Sequence, residues 1–496
     1  MHAEPSHSIF LRYRLWVLVW SLKVWSLSNV EPVGTEIVVD VERVGHGGFC
    51  VARHEGRAVF VRHSLPGERV RARITEGTEG ARYWRADAVE VLVPSPDRVR
   101  APCPYAGPGR CGGCDWQHVD LPAQRRLKAS VVAEQLARLA GLTLDVEVEP
   151  PSGAVPDDDG LGWRTRVAYA VDAEDRAGLR RHRSHDVVPI DECLIAHPDV
   201  RSIGVEARRW PGVDSVEAIV SGSGDRLVIA EPGQLEVDLP TLPDEVAVAT
   251  TQDRGGLTPV HGAAEVTERA GGRRWRVNGS GFWQVHPDAA ETLARAVLEA
   301  LAPQPGERAL DLYSGVGLFA GVLAEQVGAD GLVTAVESDR RAVDDARHNL
   351  RDLSNTAVVA GNVERVLVRD SREREERDGR AGAGRGRGPG SRRNPRDRRG
   401  GRRTEQRSAA PDRQLDADIV VLDPPRAGAK LTVVTEIVQR APRAVGYVAC
   451  DPAALARDVA AFASHGYELT SLRAFDLFPM THHVECVALL QPSSGG

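Results

Sequence analysis

From Gly34 to Val93 apolar and polar residues alternate in short runs, TEIVVDVERV, GRAVFVRH and ERVRARITE, separated by Gly or Pro turns. Short alternating strands of this kind predict a small antiparallel β-barrel. Residues 95–120 break the pattern with Pro, Gly and Cys, and over 121–140 (LPAQRRLKASVVAEQLARLA) the apolar spacing becomes helical. β-Rich segments follow to about residue 270. From Gln284 onward strands and helices alternate: a helix near 287–302, strand ERALDLY, a helix from Leu318, strand GLVTAVE, a helix over 339–352 and strand TAVVAG. The pattern resumes with DIVVLD, a helix near 431–440, strand VGYVAC and a helix over 452–463. That order predicts a parallel sheet with helices on both faces. The expected fold class is α/β: a Rossmann-like domain over 273–496, preceded by an OB-like barrel over 33–94 and a β-rich central domain over 95–272.

Between 371 and 413 the alternation stops, and 15 Arg stand against 7 acidic residues with few apolar side chains, which predicts disorder. The net charge of −7 hides this unevenness, because the rest of the chain carries 48 basic and 63 acidic residues. Bulk charge therefore gives no argument for a nucleic-acid partner; an RNA-gripping Arg/Gly arm and a passive solvated insertion both remain open. The apolar run Leu15–Leu27 is shorter than the ~20 residues of a membrane span, and Lys23 interrupts it. Residues 1–32 are expected to be an unstructured or spurious extension, with a signal-anchor as the alternative, and no membrane partner is expected. Seven cysteines, three of them within 103–114, do not form a secreted disulfide framework, so a reducing, cytoplasmic location is expected.

The segment Asp311-Leu-Tyr-Ser-Gly315-Val-Gly317-Leu lies where a first strand turns into a helix, and its glycines let backbone approach a ligand without an intervening Cβ. Glu337 ends the next strand, where a carboxylate takes both hydroxyls of an adenosyl ribose. Alone, the pattern fits a nicotinamide dehydrogenase equally, since Gly315-Val-Gly317-Leu-Phe-Ala320 satisfies G-x-G-x-x-A; a glycine turn without a ligand is the third reading. Asp423-Pro-Pro-Arg426 and Ala449-Cys450-Asp451-Pro452 end the fourth and fifth strands, at the carboxyl edge where ligands bind in such sheets. Cys450 precedes a helix with Pro in its first turn, and the helix N-terminus is expected to favour a thiolate. A lone cysteine at a strand end is also often a small core residue, as Cys50 and Cys486 are expected to be. Along the last strand, alternation puts Cys486 on one face and Glu485 on the other.

Five ordered segments resemble those of the RNA (uracil-5)-methyltransferases: Phe282-Trp-Gln284-Val-His286, Asp311–Gly317, Asp423-Pro-Pro-Arg426, Cys450-Asp-Pro452 and Phe475–Glu485 (FDLFPMTHHVE). Residues 33–93 resemble the TRAM barrel, an RNA-binding module at the front of many members. The resemblance implies a class I methyltransferase domain and S-adenosyl-L-methionine as cofactor, contacted by Gln284, Tyr313, Glu337 and Asp423, with Asn362 beside the adenine. It also implies Cys450 as nucleophile and Glu485 as general base. Leu318 departs from the pattern, since many relatives have Asn there. C5 of uracil is a poor nucleophile, and a thiolate adding to C6 turns the ring into an enolate able to attack a sulfonium methyl. A base must then remove the C5 proton so that the thiol can be eliminated. Otherwise Glu485 is a solvent-facing strand carboxylate. The competing functions are an RNA-binding protein with a degenerate methyltransferase domain and an NAD(P)-dependent oxidoreductase.

Cys103, Cys111 and Cys114, with Cys193 further on, supply four soft ligands, enough for an iron–sulfur cluster or a structural zinc. Several ribosomal-RNA enzymes of the same family resemble this, with a [4Fe–4S] cluster on three clustered cysteines and one distant one. Their first gap is shorter than the one here. The resemblance therefore implies a [4Fe–4S] cluster, with zinc and four unrelated thiols as alternatives. It favours ribosomal RNA as partner and leaves transfer RNA open; a monomer is expected.

Overall fold

The computed structural model describes residues 32–153, 159–234, 237–252, 256–384 and 415–493, the side chains of 378–384 excepted. The expected extension thus falls outside the described residues, save Pro32. Strands β1 (Glu36–Val44), β2 (Cys50–His54), β3 (Arg57–Arg62), β4 (Arg69–Glu76) and β5 (Tyr83–Val93) close a barrel in the order β1-β2-β3-β5-β4. Alternation is the cause: Ile37, Val39 and Val41 of β1 turn inward while Glu36 and Asp40 face water. Cys50 is core here, as expected. Trp116, with Ala123 and Val131 of helix α1 (Leu121–Ala140), completes the same core, which seats the barrel on the segment that follows it.

After the short strand β6 (Val148–Glu149), the central domain forms a seven-stranded sheet. Its strands are β7 (Arg166–Val171), β8 (Ala177–Arg180), β9 (Val187–Pro189), β10 (Val213–Val220), β11 (Arg226–Pro232), β12 (Val246–Thr251) and β13 (Leu257–His261), in the order β13-β12-β11-β10-β7-β8-β9. Helix α2 (Pro198–Ile203) packs beside β10, and the core gathers Trp163, Tyr169 and Trp210. A separate hairpin, β14 (Glu265–Ala270) and β15 (Arg273–Asn278), follows.

The C-terminal part runs α3 (Ala289–Leu301), β16 (Arg308–Leu312), α4 (Leu318–Val327), β17 (Leu332–Glu337), α5 (Arg340–Asn349), β18 (Thr356–Ala360) and α6 (Val363–Gly384). It continues with β19 (Ile419–Leu422), α7 (Lys430–Val438), β20 (Ala444–Ala449), α8 (Pro452–Ser464), β21 (Tyr467–Phe475) and β22 (Glu485–Pro492). The sheet order is β18-β17-β16-β19-β20-β22-β21-β6. Strand order reverses between β16 and β19, and open α/β sheets bind ligands in the crevice at such a switch point.

Two segments that the sequence assigns to the central domain pack with this sheet. β6 pairs in parallel with β21, and Val132 and Leu136 of α1 share a core with Leu455 and Phe462 of α8. The boundary drawn at 272/273 falls inside the β14–β15 hairpin. Trp275 of that hairpin lies so close to Gly321 of α4 that a Cβ there would sit 2.4 Å from the indole.

The segment expected to be disordered from residue 371 begins as helix: α6 runs to Gly384. Its polar side chains find partners that composition does not show. Arg374 bonds Asp370 at 2.9 Å, Asp370 also receives the buried Arg440 at 2.9 Å, and Ser371 donates to Glu436. Residues 385–413 lie outside the described residues.

Lys128 of α1 and Asp476, just after β21, form an ion pair at 2.5 Å with both side chains fully buried, and Lys128 also donates to the carbonyl of Phe478 at 3.0 Å. Arg125 adds a second cation 3.4 Å from Asp476. Removing one member of such a pair leaves an uncompensated charge away from water, at a cost of about 3–5 kcal/mol. Asp476→Ala is expected to lower stability by that order in denaturant titration, whereas Lys128→Met combined with Asp476→Leu recovers most of the loss. Equal stability of the single and double variants would contradict this account.

Candidate active site

Four strand ends build the site. β16 and β19 run parallel with Leu312 opposite Leu422, so Tyr313 and Asp423 leave the sheet side by side at the switch point. β20 and β22 run antiparallel with Ala449 opposite Cys486, so the next position outward on each strand brings Cys450 and Glu485 together. Glu337 ends β17, on the other side of β16.

The first half is a cradle. Tyr313 has φ +64°, a strained value for a residue with a Cβ, and Gly315 and Gly317 also have positive φ. A Cβ on Gly315 would meet nothing within 4 Å, which leaves open space over the turn. Glu337 is held by backbone: one oxygen accepts from the Gly315 N–H at 3.0 Å, the other from the Ser338 and Asp339 N–H groups at 2.6 and 2.7 Å. Asp311 is fully buried; Oδ2 accepts from the Ala320 N–H at 2.7 Å, while Oδ1 and the nearby Ser314 hydroxyl are buried without a partner. Orphaned acceptors and donors of this kind in a glycine turn suit a polar ligand. Burial, with Asp423 and Glu337 close by, pushes the Asp311 carboxyl up to about 8. Asn362 is exposed, its side chain accepting from the Arg365 N–H at the start of α6, and Gln284 sits half-buried in the loop before α3.

In the second half Cys450 is half-buried at the floor of a pocket of about 220 Å³. Contrary to the expectation from the helix N-terminus, its thiol is not acidified. Burial first, then the carboxylates of Glu485 and Asp423, push it up to about 11 against the opposing pull of Arg426. Asp451 caps α8 instead, accepting from the Ala454 N–H at 2.7 Å. Glu485 is 4% exposed rather than solvent-facing, because β22 is covered on both faces. Burial, then Asp423, raises its carboxyl well above the usual carboxylate range, and burial raises Asp423 to about 7. Asp423 faces Asp311 on one side and Cys450 and Glu485 on the other, so it joins the two halves.

Sequence reasoning missed the roof of this pocket. Gly45, His46 and Gly47 of the barrel line it together with Arg426 and His482. His46 Nε2 lies 3.2 Å from the Asp451 carboxylate, and His482 Nδ1 lies 2.5 Å from Asp115, which also meets Arg62 of the barrel at 3.4 Å. Gly48 is required at this junction, since a Cβ would lie 2.9 Å from both Asp115 and His482. The run Gly-His-Gly-Gly at 45–48 was the available signal.

Comparison with known proteins follows this geometry. The TRAM domain model matches residues 31–89, the tRNA (Uracil-5-)-methyltransferase model residues 406–493, and a protein-L-isoaspartate O-methyltransferase model residues 287–373. A Streptomyces avermitilis protein described as an uncharacterized RNA methyltransferase is 51% identical over 94% of this chain and 100% of its own length. The Shewanella 23S rRNA (uracil(1939)-C(5))-methyltransferase is 31% identical over 91% of this chain and 94% of its own. The chain belongs to the RNA (uracil-5-)methyltransferase family. In fold it is similar to the Pyrococcus abyssi tRNA (uracil-54, C5)-methyltransferase solved with S-adenosyl-L-homocysteine, with a TM-score of 0.59, 21% identity and coverage of 91% and 99% of the two chains. The dehydrogenase reading of the glycine turn is thereby set aside, and the cradle is that of an S-adenosylmethionine-dependent enzyme. The departure at Leu318 is a packing choice, as its side chain is buried in the core of the methyltransferase domain.

Cys103, Cys111, Cys114 and Cys193 line one cavity of about 140 Å³. Among the described residues no group of three or more His, Cys, Asp or Glu side chains is arranged to hold a metal ion. No helix of the described residues is long and apolar enough to cross a membrane.

A thiol near pKa 11 is only about one part in 10⁴ thiolate at neutral pH, against a few per cent for an ordinary cysteine. Alkylation of Cys450 by iodoacetamide, followed by peptide mass spectrometry, is expected to be slow at pH 7 and to rise about tenfold per pH unit through pH 9 without levelling off. A plateau reached by pH 8.5 would show the thiol to be acidified instead.

Proposed function

We propose that Cys450 and Glu485 carry out methylation of C5 of a uridine in RNA through a covalent C6 adduct. The observation that carries this is their pairing across β20 and β22 at the carboxyl edge, with Asp423 linking them to the cofactor cradle. An RNA-binding protein with a decayed active site would have no reason to keep a buried carboxylate opposite a pocketed cysteine. Gln284, Tyr313, Glu337 and Asp423 would hold S-adenosylmethionine, with Asn362 at the adenine, and the open turn with its orphaned Asp311 and Ser314 atoms fits such a group. When bound, the cofactor supplies an electrophilic methyl group. Cys450 gives up its proton to solvent and adds to C6 as the thiolate, which makes C5 nucleophilic; after methyl transfer the ionised Glu485 carboxylate takes the C5 proton while the C6–S bond breaks and the thiolate leaves. A carboxyl raised above its usual range is the stronger base for that proton.

The four cysteines are proposed to hold a [4Fe–4S] cluster. Four cysteines lining one cavity supply the soft ligands such a cluster needs, and a structural zinc is the alternative they would equally serve. Ribosomal RNA is the proposed substrate, on the strength of the Shewanella relative's activity and near-complete coverage. Mapping 5-methyluridine by mass spectrometry in RNA from cells with and without the gene tests both substrate and activity. Loss of the base from transfer RNA alone would reassign the substrate.

Glu485→Gln is expected to methylate once and stall, accumulating RNA–protein adduct that survives denaturing electrophoresis and carries label from the methyl donor. Cys450→Ala gives neither adduct nor product but still binds S-adenosylmethionine, and the double variant resembles it. Full turnover by Cys450→Ala excludes the covalent route. Protein purified anaerobically is expected to be brown, and Cys111→Ser to lose the colour together with stability, since ligand loss removes binding energy coupled to folding. Colourless, zinc-loaded wild-type protein would overturn the cluster assignment.

A further inference from the structure

We infer that the cleft between the barrel and the central sheet is a stacking site for an unpaired nucleotide next to the target uridine; this rests on the reading of the protein as an RNA uracil methyltransferase. The outer face of the barrel carries an aromatic group that belongs to no hydrophobic core of the described residues. On β3 and β5 the inward residues are Val59, Val61 and Ala86, so Phe60 and Tyr83 point outward. Phe49 leans against them: ring centroids are 4.7 Å apart for Phe49 and Phe60, and 5.2 Å for Phe60 and Tyr83. Arg85, opposite Phe60 in the strand register, places its guanidinium 5.5–5.7 Å from all three rings. In a chain with only 8 Phe and 7 Tyr, none of these three belongs to any of the four hydrophobic cores of the described residues, and Tyr83 is 43% exposed.

Phe49, Phe60 and Arg85 form one wall of a cleft of about 710 Å³, and the loop between β8 and β9 forms the other. Five arginines and three carboxylates line it, an excess of positive charge in a body that is acidic overall. His46 and Gly47 line both this cleft and the Cys450 pocket, and the His46–Asp451 contact fixes the shared loop. A strand whose uracil enters the Cys450 pocket therefore meets the cleft directly across Gly47, which presents no side chain. Aromatic faces beside arginines in a basic groove hold unpaired bases by stacking and the backbone by charge, with little regard to sequence. Paired bases have no free face to offer, so a duplex is a poor occupant.

The test uses the full chain, a fluorescein-labelled oligouridine containing one 2-aminopurine, and an RNA duplex of similar length. Wild-type protein is expected to bind the single strand more tightly than the duplex and to quench 2-aminopurine. Phe60→Leu, and independently Phe49→Leu, should weaken single-strand binding roughly tenfold to a hundredfold and abolish the quench, whereas Phe60→Tyr retains both. S-adenosylmethionine binding and melting temperature should be unchanged in both Phe60 variants, because that ring lies outside every core; the Phe49 ring also packs against Gly45 and Gly47, so its variant counts only if its melting temperature is that of the wild type. Unchanged oligouridine affinity in both Leu variants, or equal affinity of wild type for duplex, overturns the stacking site. Absence of 5-methyluridine from cells carrying the active gene overturns the methyltransferase reading instead, so the two failures are distinguishable.

Discussion

Asp476 has no access to water, and a carboxylate in that position must be matched by a cation or lost to protonation. The chain matches it with Lys128 and Arg125 from a helix some 350 residues earlier. Much else depends on that match. Asp476 begins the loop that delivers Met480, His482 and Glu485; Gln124, on the same helix, receives the Met480 N–H, and the Asp115 and Trp116 N–H groups bond the Met480 carbonyl. Helix α1 thus belongs to the barrel core through Ala123, to the methyltransferase core through Leu136, and to the catalytic loop through Lys128. One helix fixes the angle at which the barrel faces Cys450.

The site is dominated by acids held out of water. Asp311, Asp423 and Glu485 all resist ionisation, and Arg426 is the cation near the cysteine that opposes them. A set of carboxyls this reluctant to charge awaits a positive partner, and the sulfonium of S-adenosylmethionine is one. Its arrival beside Asp423 would draw that group toward the charged form, and with it the field felt by Cys450 and Glu485. In the free chain, burial and the neighbouring acids hold the Cys450 thiol above its ordinary range.

The α/β alternation was legible because each of its elements is local: VGYVAC ends at Cys450 as the register requires, and the helix expected over 452–463 is α8. Glu485 and Cys450 were legible as chemistry through the family resemblance. For the thiol the sequence offered only the neighbouring helix N-terminus and Asp451, whereas burial and the carboxylates of Glu485 and Asp423, brought in from other strands, push it upward. Long-range polar contacts left no trace in the pattern; Asp115 and His482 are 367 positions apart, and nothing around either residue announces the other. The same holds for α6, where Arg440 and Glu436, distant in sequence, supply the partners that keep an arginine-rich segment helical.

The roof over Cys450 gives the barrel a second role. A tethered RNA-binding module raises local substrate concentration wherever it sits, but this one also supplies His46 and Gly47 to the wall of the catalytic pocket. Its orientation is held by buried apolar contact and by the Arg62–Asp115–His482 chain, all within the low-dielectric junction where such contacts are strongest. The cysteine cavity adjoins that junction, since Cys114 immediately precedes Asp115. A cluster bound there would stiffen the segment carrying Asp115, and through His482 the wall opposite Cys450. Such a group would need no redox step to bear on the methylation, because it would act only through the geometry of the wall opposite Cys450.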